Sequence, residues 1–491
     1  MKKIYGLVLI TGLALGAADA SETKENQRIY APIQHQKYYQ NEKELFGYNP
    51  NFPPGVVSFG PDNRPYIITR DGKPVIHTMS HENQWIDLDF GKDIKRKFPQ
   101  WDGFVKTDEF GNARITFDRN GDAYFFAATG RSNLNKALLL HSKDRGINWT
   151  VYPLPYKEFG RLESNDTFNI GKHPPAILFY NIAGRPNGEL RLIAPEKNPD
   201  GTLTIPEPVL VTAESGLSTP HSGDGNNAVS VGDNIHLIWM SNQPDGQKGV
   251  RAFAATYNCQ TKQVSAPVFV GRSNEFGDVP QVPDNHNLPV MTVDSKGYLH
   301  AILGTHHHPF KYVKSLTSDS VEKWSNPESF GIPKTKEKEG SYTYPSISCD
   351  PQGNIHTVSR WAGQGYYFAL VYNQRNAAED RWLPQQILVM PFRAMYGCWY
   401  HKVSINHQGD LVVYYINYLN QLDKPSLEAY NQKWPEDKIN LTPVKTGDWD
   451  ANIKPHAPAI LMRNSSENCW FLATTPDFIA TIKRATASDA K

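Results

Sequence analysis

The chain has 491 residues, with 51 basic and 50 acidic side chains, 36 glycines, 36 prolines and 12% aromatic residues. The balanced charge and the lack of Lys/Arg runs argue against nucleic acid as a partner. The high Gly, Pro and aromatic content, with few helix-period apolar patterns, argues for a β protein over a helical one.

Taken in chain order, the first element is a leader. Lys2 and Lys3 precede an apolar run from Ile4 to Leu15, and Ala18-Asp19-Ala20 offers a small-x-small cleavage site. This is the anatomy of a signal peptide over residues 1–20, and the run is too short for a membrane span. A secreted or periplasmic protein without a membrane span is expected. Residues 21–50 read as an irregular arm. From 51 to 480 a hairpin pattern recurs: two alternating apolar stretches flank a tight turn with Gly. It is clearest over Ala113 to Ala127, Pro289 to Leu303, Pro345 to Ser359 and Val403 to Tyr415. The turn glycines align as Gly72, Gly121, Gly188, Gly232, Gly297, Gly353 and Gly409, and the last three are spaced by 56 residues. Seven units of this length suit four-stranded blades around an axis, so the fold expected is an all-β, seven-bladed β-propeller. The strand near Ala457 to Thr475 is expected to pair with the first blade and close the ring. Cys259, Cys349, Cys398 and Cys469 allow three disulfide pairings in an exported chain, and free buried thiols are equally compatible.

The hairpin geometry places residues before a blade's first strand and after its second at the same end of the ring. That end gathers Asp284, His286 and Asn287 with His306, His307 and His308, then Tyr342, Thr343 and Tyr344 with Arg360 and Trp361, then Trp399, Tyr400 and His401 with Asn417 and Tyr418. His221, Asn226, Asn227 and His173 are assigned to the same end. Arginine grips a carboxylate through its planar fork, and His or Tyr exchanges protons. Together they suit abstraction of the C5 proton of a uronic acid with departure of the C4 oxygen, a β-elimination. Glycoside hydrolysis would ordinarily call for two carboxylates, and Asp284 alone lies near.

The stretch Ser142 to Trp149, with Asp144 and Gly146 between, resembles the Asp-box of BNR-repeat propellers. Thr317 to Trp324 is a degraded copy in which Val321 stands where Gly is expected. The pattern Asp284 to Pro289, Gly304 to His307, Tyr342 to Pro345 and Ser359-Arg360 further resembles the BNR-type propeller lyases, which act on ulvan and other rhamnosyl-α-1,4-glucuronate glycans. The resemblance implies a catalytic set of His286, Tyr344, His306 and Arg360, with Arg360 on the uronate carboxylate and His286 and Tyr344 sharing the base and acid roles. Asn287, Tyr400 and His401 are the expected further substrate contacts, and an acidic polysaccharide is the expected partner. No organic cofactor is implied. A structural Ca2+ or Zn2+ is left open, and Cys398 with His401 offers half of a zinc site. Two other readings stand beside this one: a propeller α-L-rhamnosidase working from the opposite face, where His35 would matter, and a non-catalytic carbohydrate-binding propeller.

Overall fold

A computed structural model describes residues 33–34 and 56–488, apart from residues 72, 104, 106–113, 130–132, 157–159, 164–171, 181–187, 219–222, 224–225, 274–284, 333–339, 364–365, 391–397, 419–423, 436–455 and 466–468. The expected signal peptide over residues 1–20 and His35 therefore lie outside the described residues, as do His221 and Asp284.

Seven antiparallel sheets follow one another along the chain as the blades of a β-propeller. Their innermost strands are Ser58–Phe59, Ile115–Phe117, Gly160–Leu162, Ala228–Val231, Val290–Val293, Ser341–Cys349 and Cys398–Ile405, in blades 1 to 7. Successive strands pair outward, so each blade turns its first strand to the axis and its last to the rim. The inner strands Ile115–Phe117, Val290–Val293 and Ser341–Cys349 are buried along their whole length, on both faces. One apolar cluster fills each junction between blades. Phe125, Leu140 and Trp149 meet Ile68 and Ile76 between blades 1 and 2. Ile302 and Tyr312 meet Ile347 and Ile355 between blades 5 and 6. Burying a side chain of this size contributes about 1.5–3 kcal/mol.

Three expectations are corrected. The last strands, His456–Arg463 and Trp470–Leu472, pair within blade 7 and not with blade 1. The ring closes by packing: Val57, Phe59, Ile67 and Met79 of blade 1 meet Tyr414, Ile460 and Met462 of blade 7. Phe478 and Ile482 of a C-terminal helix, Thr475–Ser488, complete that cluster. Trp85 Nε1 donates to Thr475 Oγ1 at 2.9 Å, and the His407 N–H donates to Asn63 Oδ1 at 2.9 Å, across the same seam. The helix was not read from the sequence, although it starts with a capping box: Asp477 Oδ2 accepts from the Thr474 N–H and hydroxyl at 2.8 and 2.7 Å.

Second, Gly72 and Gly188 do not join first and second strands. Gly72 itself lies outside the described residues, but its place in the sequence is between Pro65–Asp71 and Lys73–Met79, the second and third strands of blade 1, and Gly188 lies between Ile177–Phe179 and Leu190–Ile193 of blade 3. Third, His173 accordingly sits at the other end of the ring, where its Nε2 meets Asp233 Oδ1 at 3.1 Å beside the Gly232 turn. Of the arm, Ile33–Gln34 is described, and it adds a parallel strand to Gln386–Met390 of blade 6. The Asp-box is built as read. Ser142 Oγ donates to Asp144 Oδ1 at 2.8 Å, Asp144 Oδ1 accepts the Asn148 N–H at 2.8 Å, and Trp149 is buried. In the degraded copy Asp319 turns to the neighbouring blade and meets His236 Nε2 at 2.8 Å. All four cysteines are free thiols.

A polar module recurs away from the axis. The Asp294 carboxylate accepts from the turn N–H groups of Lys296 and Tyr298 and meets His300, whose other ring nitrogen meets the Tyr312 hydroxyl at 2.6 Å. Asp350, His356 and Tyr372 repeat it one blade on, with 3.0 and 2.7 Å contacts. Burial holds His300 and His356 below the ordinary imidazole value, and it does the same to His77 and His141. These histidines fold neutral, whereas the unfolded chain takes up their protons more readily. Their contribution is complete above the ordinary histidine value and declines as pH falls through it, with each site steepening the slope by up to about 1.4 kcal/mol per pH unit. The expected result is a melting temperature that is flat above about pH 7 and drops from about pH 6.5 downward, read by circular dichroism melts. A melting temperature unchanged across that interval would contradict it.

Candidate active site

The site is assembled at the end of the ring where first strands begin, on blades 5, 6 and 7. His286 lies in a single 3-10 turn, Asn285–Asn287, just before Val290–Val293. The turn can press onto the end of the second strand because residue 304 is glycine: a Cβ there would stand 2.2 Å from the Leu288 carbonyl oxygen and 2.8 Å from that of His286. His307 adopts φ +63°, and its N–H donates to the Tyr342 carbonyl at 3.0 Å, which ties the three-histidine segment to blade 6.

Tyr344 sits where the pairing of Ser341–Cys349 with Ile355–Gly363 slips between Thr343 and Ser346. Its φ of +56° is rare for a side chain of this bulk and marks a conformation imposed by its surroundings. Two neighbours impose it. His401 Nε2 donates to the Tyr344 carbonyl at 2.7 Å. Gly223 packs so tightly that a Cβ would stand 2.6 Å from the Pro345 carbonyl oxygen. The Gly223 N–H donates to the His401 carbonyl at 3.1 Å, and Lys402 Nζ donates to the Gly223 carbonyl.

The result is a stack. The rings of His286 and His306 lie 3.8 Å apart at 10°, and those of His286 and Tyr344 lie 4.5 Å apart at 28°. Two rings cannot share one face of an imidazole at these separations, so His306 and Tyr344 cover opposite faces of His286. The Arg360 guanidinium extends the stack, 4.8 Å from the Tyr344 ring centre, with its Nε donating to Thr343 Oγ1 at 3.1 Å. Arg360 and Tyr344 are buried, whereas His286 and His306 are half-buried. The structure thus brings together His286, His306, Tyr344 and Arg360. Asn287 is buried beneath them, and the Tyr400 side chain lies outside the described residues.

His401 is placed differently from its sequence reading. It is fully buried behind Tyr344 and does not face the mouth. Burial, with Lys402 and Arg360 close by, holds its imidazole well below the ordinary value against the opposing pull of the Tyr344 carbonyl. Cys398 and His401 are both fully buried, and His401 Nε2 is committed to the Tyr344 carbonyl, so this pair does not present the expected half of a zinc site. Among the described residues, no three His, Cys, Asp or Glu side chains gather to hold a metal.

The sequence reading missed Lys402, Gly223, Arg114 and Arg161. Arg114 Nη1 donates to Asn226 Oδ1 at 2.7 Å, and Arg161 donates to Asn227 Oδ1 and to the Ser218 carbonyl. Asn227 Nδ2 in turn donates to the Pro289 carbonyl at 2.8 Å, so this network braces the strand that follows His286. A signal was available in buried cations standing within or beside otherwise apolar inner strands.

Residues 250–420 match the BNR repeat-containing family. This stretch holds His286, His306, Tyr344, Arg360 and His401, and blades 1 to 3 lie wholly outside it. No curated protein matches the chain. Similar solved structures include an ulvan lyase, described as a polysaccharide lyase bound to GlcA(1-4)Rha3S, at 14% identity over 53% of this chain and 72% of that one, with a TM-score of 0.33. An α-L-arabinofuranosidase from Fusarium graminearum is 14% identical over 74% and 93%, with a TM-score of 0.38. A fucose-recognising lectin of Aleuria aurantia is 11% identical over 71% and 97%, with a TM-score of 0.35.

Proposed function

We propose that the protein is an exported polysaccharide lyase that cleaves rhamnosyl-α-1,4-glucuronate linkages of an acidic polysaccharide such as ulvan by β-elimination. The observation that carries this reading is the stack itself. Both faces of the His286 ring are covered, so a sugar cannot lie on it as on a lectin's aromatic platform. What His286 offers a substrate is its ring edge, where the nitrogens exchange protons. Arg360, one ring further along, supplies the cation that neutralises a uronate carboxylate and so acidifies its C5 proton. His286 and Tyr344 share the removal of that proton and the protonation of the C4 oxygen, with His306 holding His286 in line. The C4–O bond breaks, the electron pair left at C5 forms the C4–C5 double bond, and the product carries a 4,5-unsaturated uronate.

The test is the ultraviolet absorbance of the unsaturated product during incubation with ulvan, with free rhamnose assayed in parallel. A rising signal is expected. Free rhamnose with no absorbance would replace elimination by hydrolysis, and binding with neither product would make this a carbohydrate-binding propeller.

A further inference from the structure

The repeated Asp–His–Tyr module differs between its two copies in a way that the fold does not require. Each copy receives an arginine from the following blade: Arg375 lies 4.9 Å from the Tyr312 ring, and Arg463 lies 5.6 Å from the Tyr372 ring. In the copy built on Asp350, the corresponding positions are Gln352, Asn354 and Gln374. They are filled by internal hydrogen bonds: Gln374 Oε1 accepts from the Tyr372 hydroxyl at 3.1 Å and from Arg463 at 3.3 Å, and Asn354 Nδ2 donates to Asp350 at 2.8 Å.

In the copy built on Asp294, the same positions are Lys296, Tyr298 and Lys314. Lysine cannot accept a hydrogen bond, so Arg375 turns outward to Asp380 at 2.6 Å, and Lys314 Nζ moves over the Tyr298 ring at 4.5 Å. A cavity of about 340 Å³ is lined by these residues and falls in the size range of small-ligand sites. Its lining carries three cations, Lys296, Lys314 and Arg375, against two carboxylates. Of these, Asp294 is committed to its turn and His300, and Asp380 is largely exposed at the edge. The cavity lies at the Gly297 turn, the opposite end of the hairpin from His286.

We propose that this cavity is a second saccharide site, on the face of the ring opposite the histidine stack, that takes a sugar bearing an oxyanion, either a carboxylate or a sulfate ester. Lys296 and Lys314 supply the charge partners, and the half-buried Tyr298 supplies apolar surface at the wall of the cavity. The neutral sister copy provides the control, because it shows that the scaffold is satisfied without the lysines.

The test is titration calorimetry on the full chain carrying Arg360→Ala, which removes the carboxylate grip of the stack and keeps this question separate from the proposed activity. Glucuronate and glucose 6-sulfate are the two acidic probes, and glucose is the neutral one. Binding of at least one acidic sugar and none of glucose is expected, and the probe that binds identifies the oxyanion. Adding Lys296→Gln, Tyr298→Asn and Lys314→Gln installs the sister's residues and is expected to weaken binding at least about tenfold. A melting curve checks that this protein folds. Acidic sugars that fail to bind the Arg360→Ala protein, or that bind equally well after the three further changes, would overturn the proposal.

Discussion

His286→Ala is expected to lose about a hundred- to ten-thousand-fold in turnover on ulvan while still binding the polymer, because a proton-transfer group is removed and the carboxylate grip is kept. The loss belongs to kcat, since the half-buried imidazole offers substrate only its edge. Arg360→Ala is expected to differ in kind. The guanidinium is buried against Tyr344 and bonded to Thr343. In the proposed elimination its removal takes away the cation that binds and acidifies the uronate, so KM is expected to rise and kcat to fall together. Arg360→Lys restores charge without the planar fork and should recover only part of either. The measurement is steady-state absorbance of the unsaturated product for each variant, with polymer binding followed by calorimetry. Equal activity of His286→Ala and the parent protein would remove His286 from the chemistry.

His401→Ala is expected to lower kcat by about a hundredfold, although no substrate reaches this side chain. The ring holds the Tyr344 carbonyl at 2.7 Å and so maintains a backbone conformation that tyrosine does not favour on its own. Without that donor the carbonyl loses a buried hydrogen bond, at a cost of about 0.5–1.5 kcal/mol, and the phenol leaves the stack. His401→Gln, whose amide N–H reaches nearly as far as Nε2, should recover a large part of the activity. The pH–rate profile separates positioning from catalysis. His401 titrates well below the ordinary histidine range, so the variants should keep the shape of the parent profile and differ in height. Loss of one limb of the profile in His401→Gln would make His401 a proton carrier instead.

The fold was legible because its repeating unit is local. A hairpin of two alternating strands around a turn glycine is determined by residues a few positions apart, and Gly121, Gly232, Gly297, Gly353 and Gly409 stand between first and second strands as read. The reading failed where a turn glycine carries no label for which pair of strands it joins. Gly72 and Gly188 fall in sequence between second and third strands, and the hairpin rule therefore puts His173 at the wrong end. The stack of His286, His306, Tyr344 and Arg360 followed from the same hairpin rule. His401 did not, because the slip in pairing at Trp399 to Lys402 changes which side chains of that strand point inward, and a slip of this kind leaves no mark in an alternating pattern. Lys402 and Gly223 escaped for another reason: their contact joins residues far apart in the chain, and neither carries a sign of the other.

The closure of the ring has a consequence for the order in which the chain takes shape. The four main strands of each blade come from one stretch of sequence, so each blade can form once that stretch has been made, and only the edge strand Ile33–Gln34 among the described strands waits for a distant partner, in blade 6. Six of the seven junctions can form as synthesis proceeds. The seventh cannot: Val57, Phe59 and Ile67 wait with their apolar face open until Phe478 and Ile482 arrive. That face is the surface on which an incomplete molecule would adhere to another, and blade 7 together with the helix Thr475–Ser488 is its natural shield.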